Sequence, residues 1–153
     1  MSRRHEIALT PDEQEEMLRS SYTIILSSLD HRGYPHAVPM WYLVRGGRVH
    51  MTTYAKSQKV VNLRRDPRCS LLVEAGVEYQ ELRGVLIRGR AEVHTELETV
   101  LDVLVEIQAK HGFGGSGKEV LDAMRAQAAK RVLIIVPPER VSSWDHRKLG
   151  GGY

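Results

Sequence analysis

The sequence predicts an antiparallel β-barrel with helices packed beside it, in a single domain of 153 residues (1–153). Three observations support this mainly β, α+β fold class. Roughly seven short strand-like segments are separated by turn signals rather than by long helical crossovers. The segment from Leu82 to His94 alternates between apolar and charged residues, as a half-buried antiparallel strand does. Gly84 and Gly89 within it allow the bending that a barrel strand needs.

Three capping boxes predict where the longer helices begin. A hydroxyl residue followed three positions later by glutamate satisfies two free backbone N–H groups at a helix start. The three pairs are Thr10 with Glu13, Thr95 with Glu98, and Ser116 with Glu119. They predict helices that end near residues 19, 111 and 130. A further short helix is expected over residues 57–65, with Ser57 as its N-cap and the Asp66-Pro67 pair as its stop.

The other ordered segments are predicted strands, because they are rich in aliphatic and β-branched residues and lie between turns. Their ranges are 22–29, 34–45, 49–54, 69–75, 82–94, 132–136 and 140–145. Pro35 and Pro39 cannot donate a backbone hydrogen bond, so the second of these strands is expected to be an edge strand, or a bulged one, along part of its length. Residues 1–9 are expected to form a loose arm, and residues 146–153 a C-terminal tail.

The composition is that of an ordinary globular protein, with 42% hydrophobic and 27% charged residues and a net charge of +3. No basic run is long enough to predict nucleic-acid binding, and no apolar run approaches the roughly 20 residues of a membrane-spanning helix. The single cysteine, Cys69, cannot form an internal disulfide. These features predict a cytoplasmic protein whose partners include neither nucleic acid nor a membrane.

The junction between the third strand and the short helix carries the groups that best fit an anion. A helix start offers free backbone N–H groups and the positive end of the helix dipole. Two lysines and three hydroxyl residues surround it: Lys56, Lys59, Thr52, Thr53 and Ser57. These groups favour a phosphate, and the alternative is a solvated surface turn, since lysine and serine are common in turns.

No other pattern in the sequence identifies a catalytic residue. The segment at 112–118, G-F-G-G-S-G-K, nearly matches a phosphate-binding loop, but Glu119 stands where a hydroxyl is needed and a helix precedes it. It is expected to connect two helices, and a role as a lid stays open. The seven histidines are scattered and there is one cysteine, so no metal site is predicted. Such a protein either binds a ligand or depends on a cofactor for its chemistry.

Three stretches carry a family resemblance. The first reads T-T-Y-A-K-S-Q-K at 52–59 and N-L-R-R-D-P at 62–67; the second reads Y-Q-E-L-R-G at 79–84 and G-R-A-E-V at 89–93; the third reads V-S-S-W-D-H-R-K-L at 141–149. They resemble the pyridoxamine 5′-phosphate oxidase-like split-barrel superfamily. The chain is most similar to its actinobacterial flavin/deazaflavin oxidoreductases of the B group, which use coenzyme F420. The strand order and the late helix pair agree, so the resemblance spans nearly the whole chain.

The resemblance implies a homodimeric split barrel with cofactor clefts at the interface. Lys59 matches the phosphate-contacting lysine, and Thr52, Thr53, Lys56 and Ser57 would surround the phosphate. The residues implied to line the tricyclic ring are His36, Val38, Pro39, Met40 and Trp41. The residues implied to close the cleft from the other subunit are Tyr79, Arg83, Trp144 and Lys148. For Trp144, the alternative is an interface anchor without cofactor contact.

The resemblance also implies a function: hydride transfer between F420 and an unsaturated or aromatic small molecule, with a proton from water, Tyr54 or Tyr79. The alternatives are an FMN-dependent oxidoreductase and a non-enzymatic split barrel that binds a cofactor or haem. Lys56, Arg64 and Arg83 favour F420, because its oligoglutamate tail carries carboxylates beyond the phosphate. A true pyridoxamine phosphate oxidase is not expected, because its substrate-phosphate pattern of arginine and histidine is not recognised near the C-terminus.

Overall fold

Nine strands and four helices make up the protein in the computed structural model, which describes residues 3–150. The strands are β1 (Thr23–Leu29), β2 (Pro35–Trp41), β3 (Leu43–Arg45), β4 (Arg48–Tyr54), β5 (Arg68–Ala75), β6 (Arg83–Arg90), β7 (Glu92–His94), β8 (Arg131–Val136) and β9 (Pro138–Asp145). The helices are α1 (Pro11–Ser20), α2 (Gln58–Arg65), α3 (Leu97–Lys110) and α4 (Lys118–Ala128). Single 3-10 turns occur at Arg3–His5, Tyr79–Glu81 and His146–Leu149.

The strands form two antiparallel sheets, in the orders β2-β1-β5-β6-β9 and β3-β4-β8-β7. Their inward faces share one apolar core, which contains Ile24 and Leu71 from the first sheet and Met51 and Ile134 from the second. A second cluster lies on the other face of the four-stranded sheet, where α3 and α4 pack against residues such as Leu133. The predicted fold class, an antiparallel α+β barrel with flanking helices, is therefore confirmed.

Two predicted strands are each divided between the two sheets. The segment at 34–45 breaks at Tyr42, which is fully buried and donates its phenolic hydrogen to the Leu18 carbonyl at 2.5 Å. The segment at 82–94 breaks at Ala91, whose N–H donates to the Pro67 carbonyl at 2.8 Å instead of to a neighbouring strand of either sheet. The prediction of a single continuous strand was therefore wrong at both places, because the backbone passes there from one sheet to the other.

The edge position of β2 is confirmed, since β1 is its only neighbour in the sheet. The first capping box is also confirmed: Glu13 N–H donates to Thr10 Oγ1 at 3.2 Å, and Thr10 N–H donates to Glu13 Oε2 at 2.7 Å. The other two predicted boxes are wrong. Helices α3 and α4 have Glu96 and Gly117 as N-caps, so each begins one residue later than a box on Thr95 or Ser116 requires.

The predicted loose arm is in part docked on β9. The Leu9 N–H donates to Ser143 Oγ at 3.1 Å, and the Asp145 N–H donates to the Ile7 carbonyl at 2.7 Å. Leu9 itself is buried in the barrel core. Residues 1–2 and 151–153, the outer ends of the predicted arm and tail, lie outside the described residues. Within 3–150, no helix is long and apolar enough to span a membrane.

Candidate functional site

The junction between β4 and α2 is a tight turn that leaves one hydroxyl without a partner. The Ser57 N–H donates to the Tyr54 carbonyl at 3.0 Å, and the Ser57 carbonyl accepts from Val60 and Val61 of the first helical turn. The Ser57 side chain makes no capping hydrogen bond, and its Oγ is buried without a hydrogen-bond partner in the described chain. Because an unpaired buried hydroxyl costs about 1–3 kcal/mol, this atom is a candidate ligand contact.

Two cations, Lys59 and Arg131, lie at the same junction. No carboxylate of the described residues forms a salt bridge with either. Lys59 is half-buried, and burial, followed by the charge of Arg131, lowers the pKa of its ammonium group. The Arg131 guanidinium lies 4.5 Å from the centre of the Tyr54 ring, its register partner across β4 and β8. Its Nε is buried without a hydrogen-bond partner among residues 3–150. The junction therefore has positive charge and hydrogen-bond donors without a partner in the described chain, as a phosphate site requires.

The other residues predicted around the phosphate differ in their exposure and in the face of β4 on which they lie. Lys56 is exposed beside the junction. Thr52 and Thr53 are both buried, but successive strand residues point to opposite faces. Thr53 pairs with Val132 on the barrel-core face, whereas Thr52 shares the opposite face with Tyr54 and Arg131. At most one of the two threonine hydroxyls therefore faces the side of β4 on which Arg131 lies.

The five residues predicted to line the ring are divided between the two faces of β2. Met40 is buried in the barrel core, and Val38 packs against that core. His36 lies on the same face and has a buried Nδ1 without a partner in the described residues. Pro39 and Trp41 are exposed on the outer face. The strand thus presents only alternate side chains to any one ligand.

A hydrogen-bonded connection joins β2 to the junction helix. Ser28 is the register partner of His36, and its Oγ accepts a hydrogen bond from Asn62 Nδ2 at 3.1 Å. Asn62 is fully buried in α2 and accepts from Gln58 Nε2 at 2.8 Å through its Oδ1. The first turns of α2 are therefore linked through β1 to the strand that carries the residues predicted to line the ring.

Trp41 lies in a stack of three aromatic rings that sequence reasoning did not find. The His111 ring is 3.7 Å from it at 13°, and the Phe113 ring is 5.9 Å from it at 15°. Burial, and then Lys110, lowers the pKa of His111, so its imidazole is neutral at neutral pH. Trp41 and Phe113 remain 40% and 59% exposed. The stack offers a flat apolar surface of the kind that accepts a planar ring.

The residues predicted to come from the other subunit lie together at the β6–β9 side of the five-stranded sheet. Arg83 lines a cavity of about 470 Å³ beside α1. The Trp144 ring packs over Gly84, where an added Cβ would lie 2.4 Å from it. Tyr79 packs against His146 with ring centres 4.7 Å apart. Lys148 forms an ion pair with Glu13 at 2.6 Å and donates to the Ala8 carbonyl at 3.0 Å.

Within one chain, these four residues lie apart from the junction of Ser57, Lys59 and Arg131. Strands β1 and β5 separate them from the edge strand that carries Trp41. No group of three or more His, Cys, Asp or Glu side chains in the described chain is placed to hold a metal ion.

The family model described as pyridoxamine 5′-phosphate oxidase matches residues 10–145. A conserved hypothetical protein from Mycobacterium tuberculosis is 38% identical, with a TM-score of 0.89, over 100% of this chain and 95% of that chain. A comparison with curated proteins returned no match.

Two more distant structures share the fold. One is an F420 reductase, 21% identical with a TM-score of 0.70, over 87% of this chain and 98% of that chain. The other is an FAD-binding protein from Mesorhizobium loti, 20% identical with a TM-score of 0.67, over 89% of this chain and 94% of that chain.

Proposed function

Because the chain belongs to the pyridoxamine 5′-phosphate oxidase family of split-barrel proteins, we propose that it is an oxidoreductase that uses a phosphate-bearing deazaflavin, coenzyme F420. The observation that carries the proposal is the junction of Ser57, Lys59 and Arg131. It combines a helix start, two cations and two buried donors that lack partners. A cofactor phosphate would pair with these cations and donors. No group of the described chain takes that place.

The cofactor, when bound, supplies the hydride, and the protein supplies position and environment. Lys59 and Arg131 hold the phosphate, while the Trp41 stack orients the ring from the outer face of β2. We infer that the proton for an unsaturated or aromatic substrate comes from water or from an exposed tyrosine hydroxyl, Tyr54 or Tyr79. Fixing the reacting groups in one geometry is the main catalytic contribution expected of such a site.

Exposed cations of this segment favour F420 over FMN. Lys56 is exposed beside the phosphate junction, Arg64 is exposed in the last turn of α2, and neither has an ion-pair partner in the described chain. The carboxylates of the F420 tail would use such cations, whereas FMN ends at its phosphate. Each exposed ion pair contributes only about 0.2–1 kcal/mol, so each cation adds a small increment to the preference for F420 over FMN.

We propose further that two copies pair through the outer face of the five-stranded sheet. Ile25, Leu72 and Leu86 form a register row across β1, β5 and β6 on that face, and all three are only partly buried. Their neighbours along each strand point into the barrel core. Covering this row would bring the β6–β9 side of one copy towards the β2 edge of the other, which joins the two separated groups of predicted cofactor residues.

Paired fluorescence titrations with F420 and FMN, each at low and high salt, test the cofactor assignment. We expect tighter binding of F420 and a preference that shrinks as salt screens the exposed cations. Turnover of candidate enones by the loaded protein then separates an enzyme from a cofactor-binding protein. Tighter binding of FMN, or purified protein that is already yellow, would make the flavin enzyme the correct assignment.

A further inference from the structure

Lys110, the last residue of α3, holds its ammonium group where three parts of the chain meet. Its Nζ donates to the Ser21 carbonyl at the end of α1 at 2.6 Å and to the Tyr42 carbonyl at 3.3 Å. The same ammonium group lies 4.4 Å from the centre of the Tyr42 ring and 5.9 Å from that of Tyr22. Two carbonyls and two aromatic rings therefore fix the position of this cation.

A half-buried ammonium group costs free energy that a neutral side chain would avoid. Burial lowers the pKa of Lys110, which means that the protein disfavours the charged form relative to water. The stem of a lysine is apolar, so a methionine of similar length would fill the same space. What distinguishes lysine at this position is its capacity to join the two carbonyls.

The Tyr42 carbonyl belongs to the corner at which the chain passes from β2 to β3. Tyr42 is fully buried, and its hydroxyl donates to the Leu18 carbonyl of α1. It directly follows Trp41, the central ring of the aromatic stack. The hydrogen bond from Lys110 to the Tyr42 carbonyl therefore fixes the backbone beside Trp41.

The second carbonyl that Lys110 holds lies beside another aromatic ring. Ser21 directly precedes Tyr22, whose ring meets the His111 ring at 5.3 Å and 65°. His111 follows Lys110 in the sequence, and its ring lies 3.7 Å from that of Trp41 at 13°. Each of the three rings is therefore next in sequence to one of the three groups that meet at the ammonium.

A Schellman motif ends α3 and places two rings of the stack just beyond the helix. The Gly112 N–H donates to the Ala109 carbonyl at 3.0 Å, and the Phe113 N–H donates to the Gln108 carbonyl at 2.8 Å. Gly112 has a φ of +77°, as the motif requires. His111 and Phe113 therefore have a defined backbone relative to the helix, and their rings move with its end.

We propose that Lys110 is a positioning residue of the ring site, whose ammonium group fixes His111 and Trp41 in the stacked geometry that accepts the tricyclic ring of the cofactor. The inference rests on the proposed function, in which the Trp41 stack orients that ring. Stacking depends on the orientation of both partners, so a bound ring needs a surface whose members stay parallel. Lys110 acts through these two rings, because its ammonium group is occupied by the two carbonyls.

Near-UV circular dichroism of Trp41, taken as the difference between each protein and its Trp41→Phe counterpart, tests the positioning role without a cofactor. A ring held in one orientation gives a near-UV signal, and a ring that moves loses it. We expect Lys110→Met, which keeps the apolar stem but lacks the donors, to lose most of the Trp41 signal well below its Tm. Lys110→Arg keeps the charge and N–H donors and should restore most of it. If Lys110→Met does not fold, Lys110→Gln, which retains a donor, takes its place.

Arg45→Gln is the matched control, because it loosens the same helix at a different point. Arg45 forms ion pairs with Asp102 and Glu106 of α3, and those contacts do not involve the aromatic stack. The Trp41 signal and the cofactor affinity of this variant should equal those of the wild type.

Fluorescence titration with F420 and with FMN is the second readout. Lys110→Met should weaken binding of the tighter cofactor by up to about 10-fold, the equivalent of one aromatic contact, and Lys110→Arg should recover most of the loss. A Lys110→Met protein with a lower Tm but unchanged affinity would make Lys110 a residue of fold stability alone and overturn the proposal, whatever its Trp41 signal. A wild type that binds neither cofactor would instead overturn the proposed function, and the ligand role of the stack with it.

Discussion

Lys59 and Arg131 are like charges held close together at the start of a helix. Burial of Lys59 and the nearby guanidinium both lower the pKa of its ammonium group. A bound anion would reverse the second effect and supply the missing charge partner. Groups whose pKa is shifted by burial together with a specific charge occur preferentially at functional sites. We therefore expect this pair of cations to be stabilised by a bound anion.

We expect Lys59→Ala to weaken cofactor binding by about 1.5–3 kcal/mol, the range for hydrogen bonds to charged groups. The urea midpoint should change little, because the ammonium group makes no ion pair within the described chain. Lys56→Ala is the matched control: Lys56 is exposed and should cost only about 0.2–1 kcal/mol. A fluorescence titration measures both, and equal affinities for the wild type and Lys59→Ala would remove Lys59 from the site.

The pH dependence of cofactor binding should report the charge of Lys59. The protonated ammonium binds the phosphate, so affinity falls as pH rises through its pKa, which lies below the ordinary value of 10.5. Arg131→Gln removes a nearby positive charge, raises the pKa of Lys59 and should move this fall to higher pH. It should also weaken binding at neutral pH. Dissociation constants measured across the alkaline range test this, and identical profiles for the two proteins would contradict it.

At the scale of elements, the loop between α3 and α4 brings the Phe113 ring within 5.9 Å of the Trp41 ring. Gly112 and Gly114 in this loop have φ values of +77° and +126°, which glycine adopts without strain. The loop can therefore present an aromatic ring at a tight bend. This gives the glycine-rich segment a structural reason that does not involve a phosphate-binding loop.

We expect Phe113→Ala to weaken cofactor binding by about 0.5–1.5 kcal/mol, the contribution of one aromatic contact. Its effect on the free energy of unfolding should be small, since the ring is 59% exposed. Leu121→Ala, at a position on α4 that is 41% exposed, serves as the control and should leave affinity unchanged. Quenching of tryptophan fluorescence during titration provides the measurement. Equal affinities for the two variants would exclude Phe113 from the ring site.

Strand β6 depends on a close approach of backbone at Gly89. The register with β9 shifts between Arg88 and Gly89, and an added Cβ at Gly89 would lie 2.4 Å from the Pro137 carbonyl oxygen. Because backbone must move to relieve that contact, Gly89→Ala should destabilise the protein by about 1–3 kcal/mol. Gly115→Ala meets only ordinary contacts, at 3.5 Å or more, and should change stability by less than about 0.5 kcal/mol. Urea denaturation compares the two, and similar midpoints would contradict the argument.

At the scale of the whole molecule, we expect two copies to pair through the outer face of the five-stranded sheet. We expect a dimer at micromolar concentration by light scattering rather than the 17.3 kDa monomer. Leu72→Glu places a charge in the middle of the Ile25–Leu72–Leu86 row and should shift the protein towards monomer. Leu121→Glu adds the same charge on α4 and should not. If both variants retain the mass of the wild type, the sheet face is not the interface.

The sequence by itself determined the local elements and the family. Strand and helix segments follow from periodicity and turn residues within short windows, so their positions came out within a few residues. The proposed phosphate site rests on the same kind of local signal, because Ser57 and Lys59 lie on one continuous strand–turn–helix segment. The family match over residues 10–145 agrees with the resemblance carried by these local motifs.

Only the tertiary structure decided which distant residues meet. Arg131 joins Lys59 through the register of β4 with β8, and His111 reaches Trp41 through the packing of α3. The division of two predicted strands at Tyr42 and Ala91 likewise depends on which sheet each half pairs with. The physical reason is that strand register and helix packing are set by contacts between segments far apart in the chain. No local window of sequence contains both partners of such a contact.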